Sequence, residues 1–582
     1  AAIGLVLGYA LAWFGLRFTT SRAGTPQETF WFLTRREDAT AEQKARLRAL
    51  IEPPMGSPAG SATVEQRAQG RRPPAALVAS FDGLGVGFVG PQGTTNLRQP
   101  SDNTLAVGLD HIVQIVNTRM AVFTKQGKRF ATTGKPLYGP VPTHNVFRGF
   151  GGACEALNNG DAVARYDQLA DRWLIVMPTF TRAPVRDDQP PVWTARSTAY
   201  SSPLGRPGQP GAAVPLFPPA PSPESSPSPS PGAPPVRRTE AGPYSMCYAV
   251  SATPDPLGPY YRYDFLRPLF PDYPRPAVWS DGYYVPTSTG DEVIQKHACV
   301  ADRAKMLRGE SATEQCVVID GVNFLNSVDL EGKRPPPPGA PNIMLAAGGT
   351  QLENALEADA IFAYAFHVDW KTPANTKVTG PERIAVAPYH YLCDGQLTHC
   401  VPQPGTERRL DAQGDKLMAR VVYRNLGGRE SIVAAHSINT TAGGGGVRFY
   451  ELEVDKQRRV TLRQQGTYAP DDSYRWMPSP ALDRNGNIGI GYSFGGTPDF
   501  AGQRFAARLA NDPLGALTLR ESVLAEGESS QSAMRWEDYT QTAVDPSDDC
   551  TIWYVGDYLK KDAASYSTRI GAFRLPGCRG RP

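Results

Sequence analysis

The sequence lacks the local patterns that mark the best-known catalytic centres. Its 582 residues include only 7 histidines, and these form no HExxH motif. There is no serine nucleophile elbow and no P-loop, and the glycine-rich stretch GLGVGFVG (83–90) does not open a helix. Metalloprotease, elbow-type serine hydrolase and P-loop chemistry therefore have no support in the sequence.

An excess of charge of one sign is also missing. The chain has 60 Lys+Arg and 57 Asp+Glu, which gives a formal net charge of +3. Nucleic-acid-binding proteins concentrate positive charge on one face or along one element. We therefore expect no nucleic-acid partner.

Glycine and proline, in contrast, are abundant, with 57 and 55 residues. Because 41% of the residues are hydrophobic, the chain can bury a core, which excludes wholesale disorder. Helical periodicity is almost absent. Short runs rich in β-branched and aromatic residues recur instead, at 111–125, 171–180, 281–289, 360–370, 431–439, 486–495 and 550–558.

Two internal repeats organise these runs. An apolar strand followed by Asp-Pro-Leu-Gly occurs at 247–258 and at 505–515. A strand, an Asp-led turn and a second strand occur at 164–177, 480–493 and 542–555. Recurring hairpins of one type predict an all-β fold, a β-propeller of six or seven blades, with tandem β-sandwiches as the alternative.

The ends and one internal stretch differ from this body. Residues 1–20 begin with 16 residues that carry no charge, which predicts an export signal or a membrane anchor. Residues 21–74 are expected to form a polar stalk with a short helix, 75–578 the propeller, and 579–582 a tail. The Pro/Ser-rich stretch 207–235 is predicted to be a disordered insertion on the propeller surface.

The number of cysteines, 8, is even, and no CxxC pair or zinc-like spacing is found. Proximity in sequence favours the pairs Cys154–Cys247, Cys299–Cys316, Cys393–Cys400 and Cys550–Cys578. Four disulfides indicate an oxidising compartment, so we expect an exported protein, periplasmic, cell-surface or extracellular. The alternative is eight buried thiols in a cytosolic protein.

An acidic residue precedes the first strand of several predicted units. These residues are Asp102, Asp161, Asp272, Asp415 and Asp538. The first strand of a propeller blade lines the central channel, so the five carboxylates are expected around one mouth of that channel. Rings of carboxylates bind hard cations, and Ca²⁺ is the cation expected outside the cell. Each aspartate could instead only cap a turn.

Arginines lie near the same positions, at Arg165, Arg275, Arg420, Arg475 and Arg535. Guanidinium groups pair bidentately with carboxylates, so such a funnel could recognise a carboxylate-bearing sugar. Because buried charges need partners whether or not a ligand exists, we expect a salt-bridge network that closes the channel.

The arrangement is similar to that of sialidases, which are propellers with an arginine cluster, an acidic Asp and a Tyr/Glu pair. That resemblance implies Arg275, Arg475, Arg535, Asp538, Glu537 and Tyr539 as candidate catalytic residues. The Asp-box repeat of sialidases is not matched, since the nearest segment, SDDCTIW (547–553), has different spacing and no glycine.

Five longer motifs resemble a group of large secreted bacterial proteins. They are GDAVARYDQLADRWLIV, CYAVSATPDPLGPYYRYDF, FPDYPRPAVWSDGYYV, RWMPSPALDRNGNIGIGYS and RWEDYTQTAVDPSDDCTIWY. The resemblance implies a secreted propeller-like body with no particular activity. Where this chain has Glu537 the group commonly has Gly, which argues against a required catalytic role for Glu537.

Together these patterns predict an exported propeller that acts as a binding or scaffold module for a protein or polysaccharide ligand at the cell surface. The alternatives are a sialidase-like glycoside hydrolase or lyase and an accessory subunit of a membrane complex. The last would require residues 1–20 to remain uncleaved and contact the membrane.

Overall fold

The computed structural model describes residues 58, 60–94, 96–184, 200–201, 238–267, 270–288, 296–352, 355–395 and 399–578. The predicted N-terminal apolar segment, the short helix of the stalk, the insertion 207–235 and the tail lie outside these residues. None of the helices within the described ranges combines the length and the hydropathy of a membrane span.

Four-stranded antiparallel blades follow one another along the described chain. Blade 1 contains β3 (Thr104–Val107), β4 (His111–Val116), β5 (Arg119–Thr124) and β6 (Pro136–Pro142). Blade 2 contains β7 (Val163–Asp167), β8 (Arg172–Pro184), β10 (Arg238–Ser251) and β11 (Tyr260–Arg267). Blade 3 contains β12 (Ala277–Val278), β13 (Tyr283–Tyr284), β14 (Lys296–Ala301) and β15 (Glu314–Ile319).

The next three blades have the same order from the innermost strand outward. Blade 4 contains β16 (Asn326–Leu330), β17 (Asn342–Ala347), β18 (Ala360–His367) and β19 (Lys377–Ala385). Blade 5 contains β22 (Val421–Asn425), β23 (Glu430–Asn439), β24 (Gly445–Val454) and β25 (Val460–Tyr468). Blade 6 contains β26 (Tyr474–Leu482), β27 (Ile488–Gly495), β28 (Gly502–Arg508) and β29 (Ser522–Ala525).

Blade 7 is shared between the two ends of the described chain. Its inner strands are β30 (Gln541–Val544), β31 (Ile552–Tyr558) and β32 (Ser567–Arg574), and its outer strand is β2 (Ala76–Asp82). The β2–β32 register runs from Ala76 opposite Arg574 to Asp82 opposite Arg569. The N-terminal part of the body therefore completes the last blade.

The innermost strands form a closed ring. Each contacts the next, from β3 through β7, β12, β16, β22, β26 and β30 and back to β3. A closed ring of seven inner strands with four-stranded sheets radiating from it is a seven-bladed β-propeller. The predicted fold is confirmed at the higher of the two blade numbers, and the alternative of tandem sandwiches is wrong because one ring joins all the sheets.

Short elements decorate the ring. β1 (Glu65–Gln66) runs parallel to β25, β9 (Tyr200–Ser201) adds to the outer edge of blade 3 beside β15, and β20 (Val401–Gln403) pairs with β21 (Thr406–Leu410) between blades 4 and 5. Within the described residues the helices are α1 (Gly152–Ala156), α2 (Arg303–Arg308) and 3₁₀ turns at Ser61–Val64, Thr143–Phe147, Pro373–Asn375 and Leu392–Gly395.

Aromatic side chains fill the gaps between neighbouring blades. Tyr284 of blade 3 meets Phe366 of blade 4 edge-on, with 5.3 Å between ring centroids. Phe505 of blade 6 stacks on Phe573 of blade 7 at 4.2 Å. Such pairs add about 0.5–1.5 kcal/mol each beyond the area they bury, so the blade interfaces are specific as well as apolar.

The eight cysteines form the four predicted disulfides, and none is free. Cys154–Cys247 ties the connection before blade 2 to β10, and Cys299–Cys316 joins directly opposed residues of β14 and β15. This number of disulfides fits an oxidising, exported environment.

The stabilising effect of a disulfide should scale with the loop it closes. The Cys154–Cys247 pair spans 93 residues and the Cys393–Cys400 pair spans 7. We expect replacement of the first pair by serines to lower the free energy of unfolding by about 4–5 kcal/mol, and of the second by about 2 kcal/mol. Denaturant unfolding of the two double variants tests the order, and a larger loss for the Cys393–Cys400 pair would contradict it.

Candidate functional site

The five predicted aspartates lie at one end of the central channel. Asp102, Asp161, Asp272, Asp415 and Asp538 precede the innermost strands of blades 1, 2, 3, 5 and 7. All the innermost strands start at this end, because each blade is entered from the same side. We call this end, with these five residues, the acidic mouth.

The backbone turns sharply where the chain enters these strands. Asp102, Asp161 and Asp538 have positive φ angles of 45°, 54° and 80°. Aspartate tolerates this left-handed conformation better than most residues do. Tyr273, at φ 48°, has no such tolerance, so the surrounding structure must hold it in place.

Asp102 is the most buried of the five carboxylates, with 1% exposure. Asn117 Nδ2 donates to Asp102 Oδ2 at 2.5 Å, whereas Oδ1 is buried and receives no donor. Burial, followed by the charges of Asp161 and Asp538, raises the pKa of Asp102 well above its usual value. Asp102 and Asp161 also face each other, so a proton or a cation between them would be stabilised.

Tyr539 lies near these carboxylates, since the charges of Asp102, Asp161 and Asp538 act on it. It is 4% exposed, and its hydroxyl has no hydrogen-bond partner within the described chain. Burial, and then the charges of Asp102, Asp161 and Asp538, raise its pKa well above the usual range for tyrosine. Its ring packs edge-on against Tyr273, at 5.1 Å between centroids.

Two cations balance the outer carboxylates. Arg535 contacts Asp411 at 2.5 Å and Asp538 at 3.0 Å. Lys416 contacts Asp415 at 2.8 Å. Burial raises the pKa of Asp411 to about 7 even beside Arg535. No such cation lies within ion-pair distance of Asp102 in the described residues.

Arg275 approaches the mouth from blade 3. Its guanidinium lies 5.0 Å from the Tyr273 ring centroid, and Nε donates to the carbonyl oxygen of Leu325 at 2.7 Å. Burial lowers the pKa of Arg275 to about 10. Nη2 is buried without an acceptor. Arg275 therefore retains donor capacity at the base of the mouth.

A buried ion network closes the channel below the mouth. Arg420 Nε donates to Asp329 Oδ2 at 2.7 Å, and Arg420 Nη1 donates to Glu331 Oε1 at 2.5 Å. Arg165 lies 3.3 Å from the same Asp329 oxygen and donates to Gln541 at 2.5 Å. The predicted network is thus present for Arg165 and Arg420. The acidic partners in this network, Asp329 and Glu331, were not predicted. Their spacing of two residues in the apolar strand SVDLE (327–331) could have indicated them.

Two of the sialidase-like candidates lie elsewhere. Arg475 is bound by Asp471 at 2.7 Å and by Glu521 at 2.8 Å, away from Asp538. Glu537 is fully buried and accepts from Gln503 at 2.8 Å and from the backbone of Asp557 at 2.6 Å. Burial and the neighbouring Asp557 raise the pKa of Glu537 well above its usual value. The structure therefore joins Asp538, Tyr539, Arg275 and Arg535, but not Arg475 or Glu537.

The sequence does contain one GxSxG pattern, GYSFG (491–495), which corrects the expectation that the pattern is absent, but the structure forms no nucleophile elbow there. Ser493 lies inside β27 and is fully buried. Ser493 Oγ accepts a hydrogen bond from Trp536 Nε1 at 3.0 Å and donates one to the carboxylate of Glu537. A serine nucleophile needs an exposed strand-to-helix turn, and Ser493 has none.

The distances between the carboxylates determine how a cation could be bound at the mouth. Among the described residues, the triads of ligand atoms within 4.8 Å of one another each include disulfide-bonded cysteines, such as Cys299 and Cys316 with Glu314. Asp102, Asp161 and Asp538 are spaced more widely. A cation shared by them would take water among its ligands, which Ca²⁺ does readily.

The raised pKa of Asp102 leads to a pH-dependent effect of its replacement. The folded state binds the carboxyl proton of Asp102 more tightly than the unfolded chain does. The contribution of this protonated carboxyl to the free energy of unfolding is therefore complete below about pH 4, and it decreases as the pH rises towards the folded-state pKa. Asp102→Asn keeps an acceptor for Asn117 and offers a donor to Asp161. In a chelating buffer, we expect the variant to melt higher than wild type at pH 8, with little difference at pH 4.

Asp562→Asn serves as the control, since Asp562 is exposed to solvent and is not one of the five residues of the acidic mouth. A melting-temperature difference for Asp102→Asn that does not change with pH would show that the pKa of Asp102 is the same in the folded and the unfolded chain, which contradicts the raised pKa.

No protein-family model and no curated protein matches the chain. Solved structures that resemble it include a protein of unknown function from Dyadobacter fermentans, at 8% identity and a TM-score of 0.31, covering 86% of this chain and 100% of that one. Another is Drosophila semaphorin 1b, extracellular domains 1–2, at 8% identity and a TM-score of 0.35, with 87% and 88% covered. A subtype N11 neuraminidase-like protein of A/flat-faced bat/Peru/033/2010 (H18N11) gives 8% identity and a TM-score of 0.31, with 88% of this chain and 98% of that one covered.

Proposed function

We propose that the protein is an exported binding module whose acidic mouth binds a cation, with Ca²⁺ as the first candidate, and presents it to a protein or polysaccharide ligand. The observation that carries the proposal is the buried Asp102 oxygen that has no donor and faces Asp161 and Asp538. The four disulfides support a location outside the cytoplasm, where Ca²⁺ is plentiful.

The physical case for a cation is the cost of the arrangement without one. A buried carboxylate with no partner is expensive, and two further carboxylates nearby add repulsion. Asp415 and Asp538 have their own cations in Lys416 and Arg535. Among the described residues, Asp102 has the amide of Asn117 and, beyond ion-pair distance, the charge of Arg535, and burial outweighs both. A proton or a metal ion must supply the missing charge.

The oxygen-rich surroundings favour a hard metal ion over a soft one. The five residues that define the mouth are all aspartates, so the ligand atoms there are carboxylate oxygens, together with the hydroxyl of Tyr539. Histidine and free cysteine are not among them. Ca²⁺ takes such ligands together with waters in a flexible shell. Replaceable waters would leave room for hydroxyl or carbonyl oxygens of a ligand.

Calcium should stabilise the folded protein if it binds there. At a concentration of 100 times Kd the gain would be about 2.7 kcal/mol, so we expect the melting temperature to rise with Ca²⁺ and to fall back with EDTA. The double variant Asp102→Asn/Asp161→Asn should lose this response, whereas Asp562→Asn should keep it. A wild-type melting temperature that is independent of Ca²⁺ at pH 7.5 would rule out the cation site.

A second candidate function, sialidase-like glycoside hydrolysis, is favoured by one observation. The hydroxyl of Tyr539, which has no hydrogen-bond partner among the described residues, lies close enough to three carboxylates and to Arg275 to interact with them electrostatically. A tyrosine nucleophile with a neighbouring acid and a neighbouring cation would have the same surroundings. Its raised pKa works against that role, because the phenol stays protonated at neutral pH. The absence of Arg475 from the group removes one of the three arginines that the resemblance implies.

We therefore expect no turnover of aryl glycosides, including aryl sialosides, by wild-type protein between pH 5 and 8. Fluorogenic substrates measure this with high sensitivity. Turnover that is lost in Tyr539→Phe, with the melting temperature of the variant unchanged, would replace the binding function by the enzymatic one.

A further inference from the structure

Two buried carboxylates lie behind the acidic mouth, where blades 6, 7 and 1 meet. Glu537 directly precedes Asp538 in the chain, and Asp557 is in β31 of blade 7. Glu537 is 0% exposed and Asp557 is 1% exposed. Neither has a cation within ion-pair distance among the described residues, so hydrogen bonds hold both side chains. We call Glu537 and Asp557 the clamp pair.

Blade 6 fixes the side chain of Glu537. Gln503 Nε2 of β28 donates to Glu537 Oε1 at 2.8 Å, and the hydroxyl of Ser493 in β27 donates to Oε2. Gln503 Nε2 also donates to the carbonyl oxygen of Asp557 at 2.6 Å. The backbone N–H of Asp557 donates to Glu537 Oε1 at 2.6 Å. The residue before Asp538 is therefore tied to both blade 6 and blade 7.

The clamp pair also holds the segment that carries Asp102. The backbone N–H of Asp102 donates to the carbonyl oxygen of Glu537 at 2.7 Å. Asn103 Nδ2 donates to Asp557 Oδ1 at 2.8 Å. Burial raises the pKa of Asp557 well above its usual value, and hydrogen bonds from the Ser101 side chain and from the backbone of Glu537 act in the opposite direction. Residues on both sides of Asp102 thus interact with the clamp pair.

The backbone at the mouth needs such contacts. Asp102, Glu537 and Asp538 have positive φ angles of 45°, 49° and 80°. Residues other than glycine keep this left-handed conformation only where the surrounding structure enforces it. Without the clamp pair, the segments that enter blades 1 and 7 would be free to relax, and the two aspartates would no longer have fixed positions relative to each other.

We infer that Glu537 and Asp557 are positioning residues of the acidic mouth, which bind no ligand themselves and hold Asp102 and Asp538 ready for one cation. The inference rests on the function proposed above. Side chains that orient metal ligands from behind matter for affinity, since their replacement typically costs about 10–100-fold in metal binding. A preformed arrangement also requires little ordering when the cation binds.

Calorimetric titration with Ca²⁺ at pH 7.5 tests the effect on affinity. Glu537→Ala removes every side-chain contact of Glu537, and we expect Ca²⁺ binding to weaken by about tenfold or more. Glu537→Gln keeps an oxygen that accepts from Asp557 and Gln503, and its amide group can donate to Ser493 Oγ. The affinity of this variant should stay close to that of wild type. An equal loss in both variants would show that the charge of Glu537 matters and not its contacts, which would overturn the inference.

Hydrogen exchange in EDTA tests the positioning without any cation. In Glu537→Ala we expect faster exchange at the backbone amides of Asp102 and Asn103, because the carbonyl oxygen that accepts from Asp102 is no longer held in place. Glu537→Gln should keep the slow exchange of wild type. Unchanged exchange in Glu537→Ala would overturn the inference. If exchange rises but wild type binds no Ca²⁺, the proposed function fails and the positioning of Asp102 by Glu537 stands.

Glu451→Ala serves as the matched control, because it also removes a buried glutamate. Glu451 is 1% exposed in β24 of blade 5, where Ser431 Oγ donates to it at 2.9 Å and Arg429 pairs with it at 2.9 Å. We expect a lower melting temperature for this variant but the Ca²⁺ affinity of wild type. Weaker Ca²⁺ binding in Glu451→Ala would show that any loss of stability weakens the site, and would overturn the inference.

A smaller change covers the case in which Glu537→Ala does not fold. Ser101→Ala removes one donor to Asp557 and leaves the other contacts of the clamp pair in place. We expect Ca²⁺ affinity and hydrogen exchange at Asp102 to change in the same directions as in Glu537→Ala, by smaller amounts. Ca²⁺ affinity and exchange equal to those of wild type in Ser101→Ala would count against a role for Asp557.

Discussion

The buried charges on the propeller axis constrain the rest of the structure. Arg165, Asp329, Arg420 and Glu331 come from blades 2, 4 and 5, and Gln541 adds blade 7. Removing one of these side chains would leave a buried charge without a partner, which would lower the free energy of unfolding by about 3–5 kcal/mol. The inner strands must therefore meet in one register. An apolar plug could be equally stable, but it would not fix which strand lies beside which.

This network also divides the channel into two ends that differ in chemistry. Long connections between blades build the acidic mouth, and there aspartates enter the strands in left-handed conformations. Tight turns within blades build the other end, where Asp483 and Asp545 accept hydrogen bonds from the backbone of their own turns and Asp545 also pairs with Lys125. Aspartates thus stand at both ends of the channel, in long connections at one end and in tight turns at the other.

Much of the fold could be predicted from local patterns. Hairpins with Asp-led turns identify blades 2, 6 and 7, and sequence proximity gives all four disulfides. The contribution of β2 to blade 7 could not be predicted, because its partner β32 is almost 500 residues away and its own sequence, ALVASFD, shows no turn signal. The insertion of β9 beside β15 is equally non-local.

The position of the acidic mouth could be predicted from the sequence, but the residues that pair with each of its aspartates could not. Five aspartates before inner strands could be found because each stands next to a recognisable strand. Which of them has a cationic partner depends on how Arg535 and Lys416 are oriented at the mouth, and Asp102 is met instead by the amide of Asn117 from another loop. Arg475 shows the same limit, since its sequence context matches the other arginines while its partners, Asp471 and Glu521, place it elsewhere.

The Cys154–Cys247 disulfide spans the Pro/Ser-rich stretch in the sequence. A protease that cuts the chain between these cysteines would therefore produce a two-chain protein, not two separate fragments. The N-terminal chain would supply β2 to the last blade, and the C-terminal chain would supply β32 beside it. Cleavage between these cysteines would thus leave the ring covalently connected and both ends of its channel in place.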